Sequence, residues 1–232
     1  MRLDKFLSES SPYSRREIKE LIKRRAVSVN GKIAEKADEK VSDRDEIRVD
    51  GELIKYSKFV YLMLNKPQDY ISATEDKKYK TVTDLVPERY RHYNVFPVGR
   101  LDIDTEGLLL LTNDGAFDHA VISPKKNVYK RYFARLDKPC GGSDIDAFAA
   151  GMEFKDFTAK PAKLEICEER CEAYVEIAEG KFHQVKRMFE RVGKTVVYLK
   201  RTAIGRLELP PDLMIGEMRE LTESEKEKVM QN

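Results

Sequence analysis

The stretch 99-GRLDIDTEGLLLLTNDG-115 joins three alternating carboxylates to a run of four leucines. Asp102, Asp104 and Glu106 supply the negative charge, and Gly107 follows them directly. The leucines predict a buried strand, and an unpaired charge beside a buried strand is costly. The acidic segment is therefore a solvated turn, a calcium loop or a catalytic loop that uses one carboxylate.

A calcium loop between two helices needs a bidentate glutamate at its twelfth position. Counted from Asp102, that position is Asn113, whose amide cannot supply two anionic oxygens. Upstream, 93-YNVFPVGR-100 contains Pro97 and Gly99 and predicts a strand and a turn instead of an entering helix. A calcium site is not expected, which leaves the solvated turn and the catalytic loop.

The composition is that of a globular protein, with 232 residues, 41% hydrophobic and 36% charged. The apolar run 59-FVYLML-64 is too short to span a bilayer. The start, MRLDKFLSES, lacks the apolar core of a signal peptide, so we expect a cytoplasmic protein that does not enter a membrane. Three cysteines argue against a disulfide framework, and the pair in 167-CEERC-171 has no second pair with which to bind metal.

Positive charge is concentrated near the N-terminus. The net charge is +2, but residues 1–60 carry 15 Lys and Arg against 12 Asp and Glu. Within 15-RREIKELIKRR-25 there are six basic and two acidic residues. A polyanion responds to such local basicity more than to the total charge.

The first 30 residues predict two short helices. Leu3, Phe6 and Leu7 have the spacing of one helix face. Ser14 and Glu17 form a capping-box sequence that opens a second helix. On this second helix, basic side chains recur every four residues and form a stripe, which by itself is typical of a solvated surface.

The segment after the second helix predicts a β-hairpin. Residues 27–33, VSVNGKI, alternate in polarity around Asn30-Gly31, a strong signal for a tight turn between strands. Together with the segments RLDKFL and DRDEIRVDG, residues 2–52 resemble a small RNA-binding domain named after a small-subunit ribosomal protein, the S-four domain. This resemblance implies that RNA is contacted by the basic residues of the second helix: Arg15, Arg16, Lys19, Lys23 and Arg24.

The chain from residue 59 onward predicts an α+β domain with a mixed, mostly antiparallel sheet. Strand-like runs occur at 60–64, 108–111, 129–136, 173–178 and 195–200. Two or three helices are expected among them, the clearest within 182–193. The sequence thus predicts an S-four-like domain over 1–58 and a second domain over 59–232.

Five ordered motifs in the second domain resemble those of the pseudouridine synthases, in the branch called RsuA. They are Asn65-Lys66-Pro67, the segment from Gly99 to Leu108, Lys130-Arg131-Tyr132, 180-GKFHQVKRMF-189 and 199-LKRTAIG-205. The resemblance covers essentially the whole chain and implies a cofactor-free, metal-free isomerase that converts a uridine of ribosomal RNA into pseudouridine. It selects the catalytic loop over the solvated turn.

The resemblance also implies roles for individual residues. Asp102 is the essential carboxylate, Tyr132 stacks on the uracil, and Lys186 holds Asp102 in place. An ordinary aspartate, with a pKa of about 3.9, is ionised at neutral pH, whereas serine needs a dedicated base. Asp104 receives no role, and His183, beside a helix start, is interpreted as structural. Phosphate contacts are expected from five basic residues: Lys66, Arg100, Lys181, Arg187 and Arg201.

The segment His183-Gln184-Val185-Lys186 resembles the enzymes that act on small-subunit ribosomal RNA. The expected partner is therefore this RNA or the assembling small subunit, bound by a monomer. A large-subunit enzyme of the same branch, a non-catalytic ribosome-assembly factor and a nucleoside glycosidase are the alternatives. The sequence does not decide whether the aspartate attacks the base, attacks the sugar or abstracts a ribose proton.

Overall fold

The computed structural model describes residues 1–123 and 125–231. Across these residues the chain forms two compact units. The first contains Met1–Val60 and Val86–Val95, and the second contains Tyr61–Leu85 and the chain from Phe96 onward. The predicted boundary after residue 58 lies near the end of the first of these segments, while Val86–Val95 groups with the first unit. The functional division at residue 58 stays a prediction.

The helices are α1 (Leu3–Ser10), α2 (Arg15–Lys23), α3 (Glu88–Arg91), α4 (Gly115–Ile122), α5 (Gly142–Ala150), α6 (Gln184–Arg191) and α7 (Glu223–Val229), with a 3₁₀ helix at Val82–Leu85. The strands are β1 (Val27–Val29), β2 (Lys32–Ile33), β3 (Ile47–Val49), β4 (Glu52–Ile54), β5 (Tyr61–Lys66), β6 (Tyr70–Ile71), β7 (Lys80–Thr81), β8 (Phe96–Val98), β9 (Glu106–Thr112), β10 (Lys130–Leu136), β11 (Met152–Glu153), β12 (Thr158–Ala159), β13 (Lys163–Ile166), β14 (Glu172–Ile177), β15 (Val196–Ile204), β16 (Leu207–Glu208) and β17 (Met218–Glu220).

The first unit follows its sequence signals closely. Both hydrogen bonds of the capping box are present, because the Glu17 amide donates to Ser14 Oγ at 3.3 Å and the Ser14 amide donates to Glu17 Oε2 at 2.7 Å. Leu3 and Phe6 on α1 are buried in one core with the apolar face of α2, which includes Ile18. The two predicted helices are confirmed.

The hairpin is also confirmed. β1 and β2 pair antiparallel, and the turn residues Asn30 and Gly31 have φ of 51° and 77°. Positive φ at both central positions is the requirement of the tight turn that asparagine and glycine satisfy best. The sheet continues in the order β2-β1-β3-β4 and leaves the basic face of α2 on the surface.

A mixed sheet forms the second unit, as predicted. Its order within the described residues is β13-β14-β10-β15-β9-β5-β17, with β16 beside β15 and β8 beside β9. Of the pairs in residues 1–123 and 125–231 that build this sheet, β9 with β15 is parallel and the others are antiparallel. Every predicted strand-like run corresponds to one of these strands.

The four leucines lie in the middle of this sheet. Leu108–Leu111 on β9 are at most 1% exposed, as are Leu62 and Leu64 on the neighbouring β5. A strand covered on both faces has a continuous apolar sequence instead of an alternating one. The acidic loop therefore leads directly into the centre of the domain.

The number of helices predicted after residue 60 is wrong. The described part of the chain after that residue contains five α-helices instead of two or three. The ones that were missed are short or have little apolar periodicity: α3 has four residues, and α7 has the sequence ESEKEKV. Such helices are stabilised by packing onto the sheet, and this packing cannot be predicted from the apolar periodicity of the local sequence. None of the helices in the described ranges is both long and apolar enough to cross a bilayer.

Candidate active site

A cleft in the second unit collects side chains from five elements of the fold. The acidic loop provides one wall, and the segment that enters α6 provides the opposite one. Three strands of the sheet, β10, β14 and β15, supply the floor. The lining residues are Arg100, Leu101, Asp102, Thr105, Tyr132, Ile177, Gly180, Lys181, His183, Gln184, Val185, Lys186 and Leu199.

Lys66, at the end of β5, holds the acidic loop from beneath. Its side chain is fully buried, and its ammonium donates to the carbonyls of Pro67 at 3.0 Å, Asp102 at 3.1 Å and Thr105 at 2.9 Å. The prediction that Lys66 binds phosphate is therefore wrong, because its charge is used inside the protein. Burial lowers the pKa of Lys66 to about 8, although the carboxylates of the loop, led by Asp104, act in the opposite direction.

This lowered pKa predicts how stability depends on pH. Between pH 8 and the ordinary value of 10.5, an unfolded Lys66 binds a proton that the folded one has lost, so the free energy of unfolding rises with pH. We expect the wild type to gain stability relative to Lys66→Met across this interval, by at most about 3 kcal/mol. Urea unfolding of both proteins at pH 7 and pH 10 measures it. If the difference in free energy of unfolding between the two proteins were the same at pH 7 and pH 10, Lys66 would not be a buried ammonium that titrates in this interval.

Gly107 permits the loop to join the sheet. Its φ is +101°, and a Cβ at this position would lie 2.2 Å from the carbonyl oxygen of Arg201. Gly107 is paired with Arg201 in the parallel β9–β15 ladder, so a side chain would separate the two strands. The glycine thus fixes where the acidic loop ends and how near it lies to β15.

Asp102 lies between two nitrogen-bearing side chains. Lys186 Nζ is 3.4 Å from Asp102 Oδ2, and His183 Nε2 is 3.6 Å from Asp102 Oδ1. The Asp102 side chain is 27% exposed, so it opens into the cleft without being fully solvated. Lys186 thus lies beside Asp102, and its role in holding the carboxylate stays a prediction.

Lys186 is shared with a second carboxylate. It donates to Asp104 Oδ1 at 2.6 Å, which is shorter than its distance to Asp102. Partial burial opposes ionisation of Asp104, but the hydrogen bond and the charge of Lys186 outweigh it and lower the pKa of Asp104. The sequence predicts no partner for Asp104, so this contact is a finding of the structure.

Tyr132 is on β10, within the same cleft as Asp102. It is 7% exposed and pairs in register with Val175 on one side and Arg201 on the other. Its ring therefore belongs to the floor of the cleft. Asp102, Tyr132 and Lys186, which the sequence separates by up to 84 positions, line one cavity.

His183 is a second nitrogen-bearing side chain beside Asp102. It occupies the N-cap of α6 with a left-handed backbone, φ 51°, and its ring stacks on Phe182. Its side chain faces Asp102, and its interpretation as a structural residue stays a prediction. Its place three residues before Lys186, on one face of a helix start, is the signal that could have found it.

The predicted phosphate-binding residues differ in exposure. Arg201 is 3% exposed and donates from Nε to the Leu108 carbonyl at 2.7 Å. The prediction that Arg201 binds phosphate is therefore wrong, because its side chain, like that of Lys66, is buried and hydrogen-bonded to a backbone carbonyl. Arg187 forms a two-pronged ion pair with Asp156. Arg100 and Lys181 are exposed at the cleft and stay as predictions.

On the first unit the five predicted basic residues are all exposed. They are Arg15, Arg16, Lys19, Lys23 and Arg24. Arg24 pairs with Asp50 at 2.6 Å, an exposed ion pair of small energetic value. No group of three or more His, Cys, Asp or Glu in the described ranges is arranged to hold a metal ion.

Comparison with known proteins assigns the chain to a family. A model described as RNA pseudouridylate synthase matches residues 60–191, more than half of the sequence. The chain belongs to the RNA pseudouridylate synthase family. A second model, described as S4 domain, matches residues 1–47. Both resemblances seen in the sequence are thereby confirmed, and the chain is an RNA pseudouridine synthase.

Relatives within this family match over nearly the whole chain. An uncharacterized RNA pseudouridine synthase of Bacillus subtilis is 47% identical, covering 97% of this chain and 96% of its own. Ribosomal small subunit pseudouridine synthase A of Escherichia coli strain K12 is 39% identical, covering 97% and 98%. A crystal structure of a pseudouridylate synthase has a TM-score of 0.70 at 38% identity and covers 99% of both chains.

Proposed function

We propose that this pseudouridine synthase acts on a uridine of small-subunit ribosomal RNA and that Asp102 is its central catalytic group. The observation that supports the proposal most strongly is the position of Asp102, on the loop that Lys66 holds, in a cleft with Tyr132 and 3.4 Å from Lys186. The RNA class is supported by the names of relatives such as the Escherichia coli enzyme, which is 39% identical.

The reaction needs no atom from outside. The bond from ribose C1′ to N1 of uracil breaks, the base turns, and a bond forms from C1′ to C5. The proton on C5 leaves to solvent, and N1 gains one. Asp102 serves as the nucleophile or the proton acceptor in the first half of this sequence, and three routes remain compatible with one carboxylate: attack on the base, attack on the sugar and removal of a ribose proton.

Tyr132 and Lys186 support that step. Stacking of the flipped uracil on the Tyr132 ring contributes about 1–3 kcal/mol, of the order of the cost of extruding a base. Lys186 orients the Asp102 carboxylate, because its ammonium lies 3.4 Å from Asp102 Oδ2. Arg100 and Lys181, exposed at the cleft, bind the flanking phosphates, and Arg187 contributes once its pairing with Asp156 is released.

Residues 1–58 act in this proposal as the RNA-binding domain and residues 59–232 as the catalytic domain. The enzyme works as a monomer in the cytoplasm, where ribosomal subunits assemble, and takes the RNA either free or in an assembling small subunit. The basic face of α2, with its apolar face buried, is the feature that supports RNA contact by the first domain.

The activity is tested with RNA tritiated at C5 of uracil. We expect the wild type to release tritium from a small-subunit ribosomal RNA transcript and to leave pseudouridine in its nuclease digest. Release from large-subunit RNA alone would move the enzyme to the other substrate. Free uracil would indicate a glycosidase, and tight binding without tritium release would indicate an assembly factor.

The role of α2 gives a separate prediction. The triple variant Arg15/Lys19/Lys23→Ala removes a stripe of exposed charges. If each charge meets one phosphate, the slope of log affinity against log salt becomes less steep by about 2–3. Filter binding of the RNA transcript at several salt concentrations measures the slope.

A matched control removes as many charges from the same unit. Lys32, Lys36 and Lys40 are exposed and lie outside α2. We expect Lys32/Lys36/Lys40→Ala to change the salt slope much less. Equal slopes for the two triple variants would remove α2 from the RNA-binding model.

A further inference from the structure

Phe182 is an exposed aromatic residue at the edge of the cleft. It is 74% exposed, the largest value among the exposed large hydrophobic residues in the described ranges. It lies between β14 and α6, directly after Lys181 and before His183, both of which line the cleft. An exposed ring of this size forgoes the stabilisation that burial would give it. Phe182 is therefore outside the core and presents its ring at the edge of the cleft.

The ring is held by its neighbours. It stacks on the His183 imidazole with centroids 3.8 Å apart and planes at 20°. The turn beneath it is fixed, because the Gln184 amide donates to the Lys181 carbonyl at 3.1 Å and the Lys181 amide donates to Gln184 Oε1 at 3.0 Å. Gln184 is anchored in turn by Glu179, at 3.0 Å. The ring is therefore presented on a rigid turn.

The surroundings favour a nucleotide over an apolar ligand. One ring face lies on His183, and the high exposure of Phe182 leaves its other face accessible. The exposed cations Lys181 and Arg100 belong to the same cleft. An accessible ring face beside cations is the combination by which proteins bind single-stranded nucleic acid, with stacking for the base and charge for the phosphate.

We propose that Phe182 is the stacking platform for the base next to the target uridine. The inference rests on the proposed function, since it takes that uridine to be the one in the cleft. A base on the outer face extends the pair of rings to three, and the inner ring, His183, is 3.6 Å from Asp102. The stacked base thus lies next to the catalytic carboxylate without contacting it.

The test is a binding cycle that requires no catalysis. The probe is a nonaribonucleotide with one central uridine flanked by adenosines, together with two versions that carry an abasic residue 5′ or 3′ of the uridine. We expect Phe182→Ala to weaken binding of the intact probe by about 5- to 100-fold, the range set by stacking of one base. For one abasic probe, the same substitution is expected to have almost no effect. Phe182→Tyr should bind like the wild type.

Met214 supplies the control, since it is 64% exposed and lies outside the cleft lining. Met214→Ala is expected to bind all three probes like the wild type. In the tritium assay, the Phe182→Ala loss should fall on KM more than on kcat, because the stacked base does not react.

Equal losses for Phe182→Ala on all three probes, no loss on any, or no binding of the intact probe to the wild type would overturn the proposal. If Phe182 contacted a protein instead of RNA, Phe182→Ala would weaken binding of none of the three probes. If the wild type binds the probes as expected but releases no tritium from ribosomal RNA, the proposed function fails while the stacking platform stands.

Discussion

Substitution of Asp102 by asparagine is expected to lower tritium release by about 10²- to 10⁴-fold, the contribution typical of a side chain that acts directly in the chemistry. Asparagine has nearly the same shape, so the loop should keep its conformation while losing the anionic oxygens that face Lys186 and His183. Single-turnover release from saturating small-subunit RNA measures the loss. Filter binding should show that the variant still holds the RNA.

Asp104→Asn is the matched control, because it removes an identical charge two residues away. The Asp104 side chain is 62% exposed and contacts Lys186. It is not among the residues that line the cleft. We expect a reduction of several-fold, on the scale of one weakened charge-assisted hydrogen bond. Comparable losses in the two variants would mean that the carboxylates act as a pair and would contradict a single catalytic aspartate.

Lys66→Met is expected to reduce kcat by about 10²-fold, the loss associated with a displacement of roughly 1 Å at a reacting group. Methionine fills a similar volume, but the carbonyls of Asp102 and Thr105 lose their donor. A buried acceptor without a partner costs about 1–3 kcal/mol, so the loop should move until water or another donor reaches these oxygens. Steady-state tritium release measures the effect on kcat.

Lys130→Met separates this effect from a general loss of stability. Lys130 is also buried, its pKa is also lowered by burial to about 8, and it donates to the carbonyls of Val121 and Val128 instead of the acidic loop. Both variants should unfold at a changed temperature, whereas the large decrease in kcat should belong to Lys66→Met. If the two variants lost activity in proportion to their stability, Lys66 would have no specific part in placing Asp102.

Much of the fold is encoded in short segments, and there the sequence was sufficient. The capping box of Ser14 and Glu17 and the turn at Asn30-Gly31 each involve residues that are close along the chain, so their partners can be read directly. The strands were predicted because apolar runs such as Leu108–Leu111 are long enough to require burial. Asp102, Tyr132 and Lys186 were assigned through motif order, and the structure brings them into one cleft.

The errors concern side chains whose partners are distant in sequence. Lys66 and Arg201 were expected at phosphates because a cation is usually solvated. Their partners are backbone carbonyls, 36 residues away for the Lys66–Asp102 contact and 93 residues away for Arg201. Every residue has a backbone carbonyl, so no local sequence pattern indicates which carbonyl accepts a hydrogen bond from a distant side chain. The contact of Lys186 with Asp104 has a related explanation, since the two residues are 82 positions apart and Asp102 lies near the same ammonium.

The last strand of the sheet has a consequence for biosynthesis. β17 covers the edge of β5, and the Gly216 amide and the Leu213 carbonyl hold Asn65, next to Lys66. Until those residues leave the ribosome, the apolar strand that carries Lys66 has an unpaired edge, which at 5–20 residues per second lasts roughly 8–30 s. A nascent chain in that interval exposes a template for aggregation and lacks the support of its catalytic loop. The catalytic loop therefore gains its full support only after the residues up to Glu220 have been synthesised.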